Sequence, residues 1–155
     1  RDYGEIDKDV CFWFIGNYKE KRYECDRIRY VGWLEEAQVK RYLKMANLYV
    51  FIPWYDWCPN SLVEAMTAGN YVICSNQGGH AEIVEGYGTV LPIDKTVQPK
   101  AVGKMIVPKI NRSLIVDAIK DYFDKKPESK PNPAIHIERI ARKYKEAFEE
   151  VLGVK

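Results

Sequence analysis

Short apolar runs alternate with amphipathic stretches along this chain. Val10 to Ile15 is continuously apolar and stops at Gly16. Such a run fits a strand buried on both faces, as in a parallel sheet. Arg27 to Gly32 alternates and predicts a second strand. Leu48 to Ile52, ended by Pro53, predicts a third, Tyr71 to Cys74 a fourth, and Thr89 to Ile93 a weaker fifth. Between them the spacing turns helical. Glu35 to Ala46 sets Val39, Tyr42, Leu43 and Ala46 on one face. Ser61 to Ala68 predicts a short helix with Gly69 as its left-handed stop. His80 to Glu85 is shorter. Ser113 to Phe123 carries Leu114, Ile115, Ala118, Ile119, Tyr122 and Phe123. Ala134 to Leu152 lines up Ile137, Ile140, Ala141, Tyr144, Phe148 and Leu152.

This order predicts an α/β domain with a parallel sheet flanked by helices. Ligands of such sheets bind beyond the carboxyl ends of the strands. Attention therefore falls on Gly16-Asn17, Gly32-Trp33-Leu34, Pro53 to Asn60, and Ser75 to Gly79. Lys95 to Arg112 has no clear period and reads as an irregular surface excursion. Residues 1–124 form the domain, and 125–133, with three prolines, a linker. Residues 134–155 hold a final helix that packs back on the domain or reaches toward a further one.

Composition narrows the classes. The 155 residues are 46% hydrophobic and 30% charged, which excludes a disordered tail. No apolar run approaches the ~20 residues of a membrane span. Net charge is +2, which gives no electrostatic case for nucleic acid as the main partner. The first residue is Arg1 rather than Met, and a longer parent chain is expected. The four cysteines have no C-x-x-C spacing, and there are two histidines, so no metal site or cofactor is expected. Cys11 and Cys74 lie inside apolar runs and read as buried reduced thiols of a cytoplasmic protein. His80 reads as a helix-start residue and His136 as a surface one. Asp7-Lys8-Asp9 precedes the first apolar run and reads as surface.

The richest chemistry lies in Trp54-Tyr55-Asp56-Trp57-Cys58-Pro59-Asn60-Ser61-Leu62-Val63-Glu64. It follows a strand and opens a helix. A helix start offers unpaired N–H groups and the positive end of its dipole, a ready site for phosphate. Asp56 and Glu64 flank it and suit sugar hydroxyls, which donate hydrogen bonds. Local structure offers another explanation for each residue. Ser61 and Glu64 have the S-x-x-E spacing of a capping box. Pro59 can be helix-entry punctuation, and Asp56 can cap a turn. Three aromatics in a polar loop argue for a ligand wall or a docking surface. Gly78-Gly79 permits close backbone approach, or simply a flexible turn.

The stretch P-N-S-L-V-E-A-M-T-A-G-N-Y-V-I-C-S-N-Q-G-G-H-A-E-I-V, Pro59 to Val84, resembles the signature of retaining nucleotide-sugar glycosyltransferases of the GT-B fold, family four, also called group one. Glu35 to Phe51 (E-E-x-x-V-x-x-Y-L-x-x-A-N-L-Y-V-F) resembles the helix and strand before it. Asp56 and Glu64 match the family's E-x7-E pair, with Asp in place of the first Glu. The resemblance implies a Rossmann-like, carboxyl-terminal GT-B half that binds a UDP-, GDP- or ADP-sugar. Asp56 and Glu64 become its catalytic pair, Asp56 on sugar hydroxyls and Glu64 on the ribose. Main-chain groups of Trp57, Cys58, Asn60, Ser61 and Leu62 meet the sugar and diphosphate. Gly16, Asn17, Trp33 and Leu34 border the base, and Gly78 and Gly79 face the cleft toward the acceptor half. The implied reaction is hexosyl transfer with retention, by a half that is inactive alone. A location in the cytoplasm follows, with contact to a membrane surface left open.

There are departures from the family. Aligning Val10 to Gly16 with the family's second strand leaves the first strand absent, along with its diphosphate-clamping Arg and Lys, and puts a gap in the sheet. The other alignment makes that run the first strand, with Lys19, Lys21 or Arg22 as the cations. The alternative function is a non-catalytic nucleotide-binding or assembly module of the same fold. A dehydrogenase is disfavoured, because no G-x-G-x-x-G follows any strand.

Overall fold

The computed structural model describes residues 9–17, 25–53, 56–93, 110–130 and 132–154. Among the described residues, five strands and five α-helices run in the order β1 (Phe12–Ile15), β2 (Ile28–Gly32), α1 (Glu36–Met45), β3 (Leu48–Phe51), α2 (Asn60–Thr67), β4 (Tyr71–Ser75), α3 (His80–Val84), β5 (Gly88–Leu91), α4 (Arg112–Lys125) and α5 (Ile137–Leu152). A 3-10 turn, Pro133–Ile135, precedes α5. All strand pairings are parallel. The fold is therefore α/β of Rossmann-like type, as the alternation of patterns predicts.

Period-2 alternation sorts the core into two layers. On β3 and β4, Tyr49, Phe51, Val72 and Cys74 face one side, where they meet Leu62 and Met66 of α2 and Val84 of α3. Leu48, Tyr71 and Ile73 face the other, against Ile115, Ala118, Ile119 and Phe123 of α4. β4 runs between β3 and β5, and Val72 to Ser75 are all completely buried.

The five strands make two sheets rather than one. β1 pairs with β2, and β3, β4 and β5 form the other sheet. Among the described residues no strand bridges the two sheets. Both pieces share helical cover: Val10 and Phe12 pack into the α4-side core, and Trp13 meets Tyr42 of α1 edge-on at 5.3 Å.

The first apolar run departs from expectation. β1 is not buried on both faces: Phe14 is 40% and Ile15 38% exposed. Among the described residues β1 pairs only with β2, which gives those side chains too little cover. Cys11, expected to be buried, is exposed for the same reason, whereas Cys74 on β4 is buried; all four thiols are free. Of the excursion expected over Lys95 to Arg112, residues 95–109 lie outside the described residues, and its end is instead the start of α4, with Asn111 as N-cap and Arg112 the first helical residue.

Beyond α4 the chain is tied down again. Asn132 is buried, and its amide donates to the Ile83 carbonyl at 2.7 Å. Ile135 packs on the α2–α3 core. α5 then leaves the core with no buried residue, and Ile137, Tyr144, Phe148 and Leu152 of its apolar stripe stay more than 60% exposed.

Candidate functional site

The site forms where β3 hands over to α2. Phe51 ends the strand, and α2 begins at Asn60 with Pro59 as its N-cap. Pro59 is buried and its side chain caps nothing; its carbonyl instead accepts from the Leu62 and Val63 N–H groups at 3.1 and 3.3 Å. The amides of Asn60 and Ser61 have no acceptor among the described residues. They are the outward donors at the positive end of the helix.

The capping-box explanation of Ser61 and Glu64 fails. The helix starts two residues too early for it, so Ser61 is the second helical residue rather than the cap. Both side chains are exposed. Ser61 reaches the Tyr49 phenol, whose pKa burial raises while the Ser61 hydrogen bond lowers it and the charge of Glu64 raises it further. A real box stands at α1, where Gln38 Oε1 accepts from the Glu35 N–H at 3.0 Å. The spacing Glu35-x-x-Gln38 before an apolar period was the available sign of it.

Asp56 opens the loop before α2. Its carboxylate oxygen Oδ1 accepts from the Cys58 N–H at 3.1 Å, an Asx turn. Its carbonyl accepts from the Gly79 N–H at 3.1 Å. The paired glycines thus approach the chain's own loop. A β-carbon at Gly78 would stand 1.9 Å from the Asp56 carbonyl oxygen, and one at Gly79 would stand 2.3 Å from that of Trp57. Gly78 also has φ +59°, a conformation that suits glycine.

Ser75 and His80 close the same turn from beneath, with Oγ and Nδ1 3.1 Å apart and both residues fully buried. His80 does start α3, but its burial was not expected. Its only sign in the sequence was a serine and a histidine on opposite sides of a Gly-Gly turn. His136 is exposed, as read.

The predicted residues therefore fall into two groups. Asp56, Trp57, Cys58, Asn60, Ser61, Glu64, Gly78 and Gly79 gather at the carboxyl ends of β3 and β4. Leu62 belongs to that segment, but its side chain is fully buried in the core and its N–H is bonded to Pro59. Gly16, Asn17, Trp33 and Leu34 sit at the carboxyl ends of β1 and β2, joined by the Gly16 N–H to Gly32 carbonyl bond of 2.8 Å. Trp33 and Trp57 are 64% and 74% exposed. Two large aromatics left in water at strand ends suit a face that meets a ligand. Trp54, Tyr55, Lys19, Lys21 and Arg22 lie outside the described residues. Among the described residues, no three His, Cys, Asp or Glu side chains cluster to hold a metal ion.

A family model described as glycosyl transferases group 1 matches residues 3–121, most of the chain and all of this site. The chain belongs to the group 1 glycosyltransferases. No curated protein and no solved structure matches it. Membership makes sugar transfer the general activity of this glycosyltransferase, with a nucleotide sugar and an acceptor as its general substrates. No helix among the described residues is long and apolar enough to cross a membrane.

Proposed function

We propose that this glycosyltransferase domain binds the donor, a nucleotide-diphosphate sugar, at the start of α2, as the carboxyl-terminal half of a GT-B enzyme in the cytoplasm. One observation carries the reading. The Asn60 and Ser61 amides, which lie in sequence between Asp56 and Glu64, have no acceptor among the described residues, and no capping box consumes Ser61 or Glu64. Main-chain donors at a helix start suit the diphosphate. Carboxylates beside them would repel it, so they serve neutral hydroxyls: Glu64 those of the ribose and Asp56 those of the sugar.

The chemistry is a substitution at the anomeric carbon. Its bond to the diphosphate oxygen breaks, a bond to the acceptor oxygen forms on the same face, and the acceptor proton passes to water. The diphosphate leaves with its extra negative charge. The α2 amides stabilise that charge as it develops, and the Asp56 loop holds the sugar in place.

Calorimetric titration of the chain with UDP, GDP and ADP tests the reading. One nucleotide should bind saturably, with affinity about tenfold weaker in Glu64→Ala, the order expected for losing one charge-assisted hydrogen bond. Asp56→Ala should weaken the matching nucleotide sugar and spare the free nucleotide. Binding of none of the three, or equal binding by Glu64→Ala, would refute it.

A further inference from the structure

β4 ends in Ser75 and α3 begins in His80, with the Asn76–Gly79 turn between them. The Ser75 hydroxyl and His80 Nδ1, 3.1 Å apart, join the two ends of that turn inside the core. The imidazole also stands edge-on to Phe51, with ring centroids 5.0 Å apart at 73°. Phe51 is the last residue of the strand that leads to Asp56. The far side of the turn meets the Asp56 loop directly. Gly79 donates to the Asp56 carbonyl, and the bare α-carbons of Gly78 and Gly79 lie against the carbonyls of Asp56 and Trp57.

His80 Nε2 is buried and has no hydrogen-bond partner among the described residues. An unsatisfied nitrogen in a dry core is unfavourable, and an apolar side chain of similar size would fill the space without that cost. Packing alone therefore does not account for a histidine here, whereas the Nδ1 bond to Ser75 does.

We propose that Ser75 and His80 are positioning residues that clamp the Asn76–Gly79 turn so that its glycines hold Asp56 where it reads the sugar. The role given to Asp56 rests on the donor-site reading above. The mechanical link from Ser75–His80 through Gly79 to Asp56 stands apart from it. Burial lowers the His80 pKa, outweighing the opposite pull of the Ser75 main chain and the Asp56 charge. The clamp is accordingly a bond between uncharged groups at neutral pH.

Amide hydrogen exchange on the full chain tests the mechanical link without any ligand. In His80→Leu and Ser75→Ala, the Gly79 amide should exchange about tenfold faster while the β4 amides keep their protection, a local rather than global opening. In His80→Asn, whose amide can occupy the place of Nδ1, Gly79 should stay near the parent rate. A uniform rise across Gly79 and β4 would reduce the pair to general stability and overturn the proposal, as would an unchanged Gly79.

Titration with a nucleotide diphosphate and its sugar conjugate then tests the role. His80→Leu should weaken the conjugate about tenfold and spare the free diphosphate, and adding Asp56→Ala should cost nothing more. Additive losses would overturn the link. A parent chain that binds neither ligand defeats the donor-site reading, while the exchange data still decide the clamp.

Discussion

Replacing Gly78 with alanine probes the joint between the two loops most directly. The new β-carbon would stand 1.9 Å from the Asp56 carbonyl oxygen, so the loop must retreat by about 1.5 Å to restore ordinary contact. Such a shift takes the 3.1 Å bond from Gly79 to that same carbonyl beyond hydrogen-bonding range. Alanine at φ +59° adds about 1–2 kcal/mol of backbone strain. The lost bond adds about 1 kcal/mol, for a total of about 2–3 kcal/mol. Gly69→Ala is the matched control, because Gly69 also has positive φ, +91°, but a β-carbon there meets nothing within 4 Å. It should cost the backbone strain alone, about 1–2 kcal/mol. Urea titration gives the two stabilities, and calorimetry gives the affinity for the nucleotide sugar. Gly78→Ala should be the less stable and should lose about tenfold in affinity as Asp56 moves, while Gly69→Ala binds like the parent. Equal stability and equal affinity for the two variants would show that the glycine turn does not support Asp56, and the reasoning would fall.

Leu62→Ala should cost about 2–5 kcal/mol in urea unfolding, because Leu62 is fully buried between α2 and the sheet; a cost below 1 kcal/mol would contradict that packing. Under reducing conditions, native-state alkylation read by mass spectrometry should modify exposed Cys11, Cys25 and Cys58 and spare Cys74. Burial pushes the Cys74 thiol up to about 12, so its adduct should appear only on unfolding. The folded chain holds the His80 pKa below its ordinary 6.5, so its contribution is complete above that value and is lost as pH falls through it, when the unfolded chain takes up the proton more readily. The parent should therefore lose stability between pH 7 and 5 more steeply than His80→Leu; parallel profiles would refute this.

Most of the framework was legible because it depends on periodicity. The continuous apolar runs at Leu48–Phe51 and Tyr71–Cys74 reflect helices on both sides of the sheet, and the left-handed Gly69 ends α2 as read. Three features were not legible, for separate reasons. The apolar run at β1 looked like a buried strand, but burial depends on neighbours, and pairing with β2 alone leaves Phe14 and Ile15 half-covered. The Ser61–Glu64 spacing fits a capping box only if Ser61 is the N-cap, and the Pro59 carbonyl takes that place two residues sooner. His80 was hidden because its partner Ser75 lies across a turn, and no local pattern records that bond. The candidate site itself was legible as a segment. Its mutual contacts, above all Gly79 to Asp56, came from the fold.

The arrangement divides the site into parts with different mechanical support. The Asp56, Asn60–Glu64 and Gly78–Gly79 segments spring from β3 and β4, and β4 is a fully buried central strand. Its ends are fixed by pairing on both sides, and its turn is joined to the neighbouring loop through the main chain. Gly16, Asn17, Trp33 and Leu34 spring instead from a two-stranded pair, which on its own is only marginally stable. That pair relies on Val10, Phe12 and Trp13 for its hold on α4 and α1. A donor needs its diphosphate and sugar fixed to within a fraction of an ångström of the reacting geometry, while the far end of the nucleotide needs only to be held. The rigid part carries the residues assigned to the diphosphate and sugar, and the less supported part those assigned to the base. This division follows from which strands are paired on both edges among the described residues.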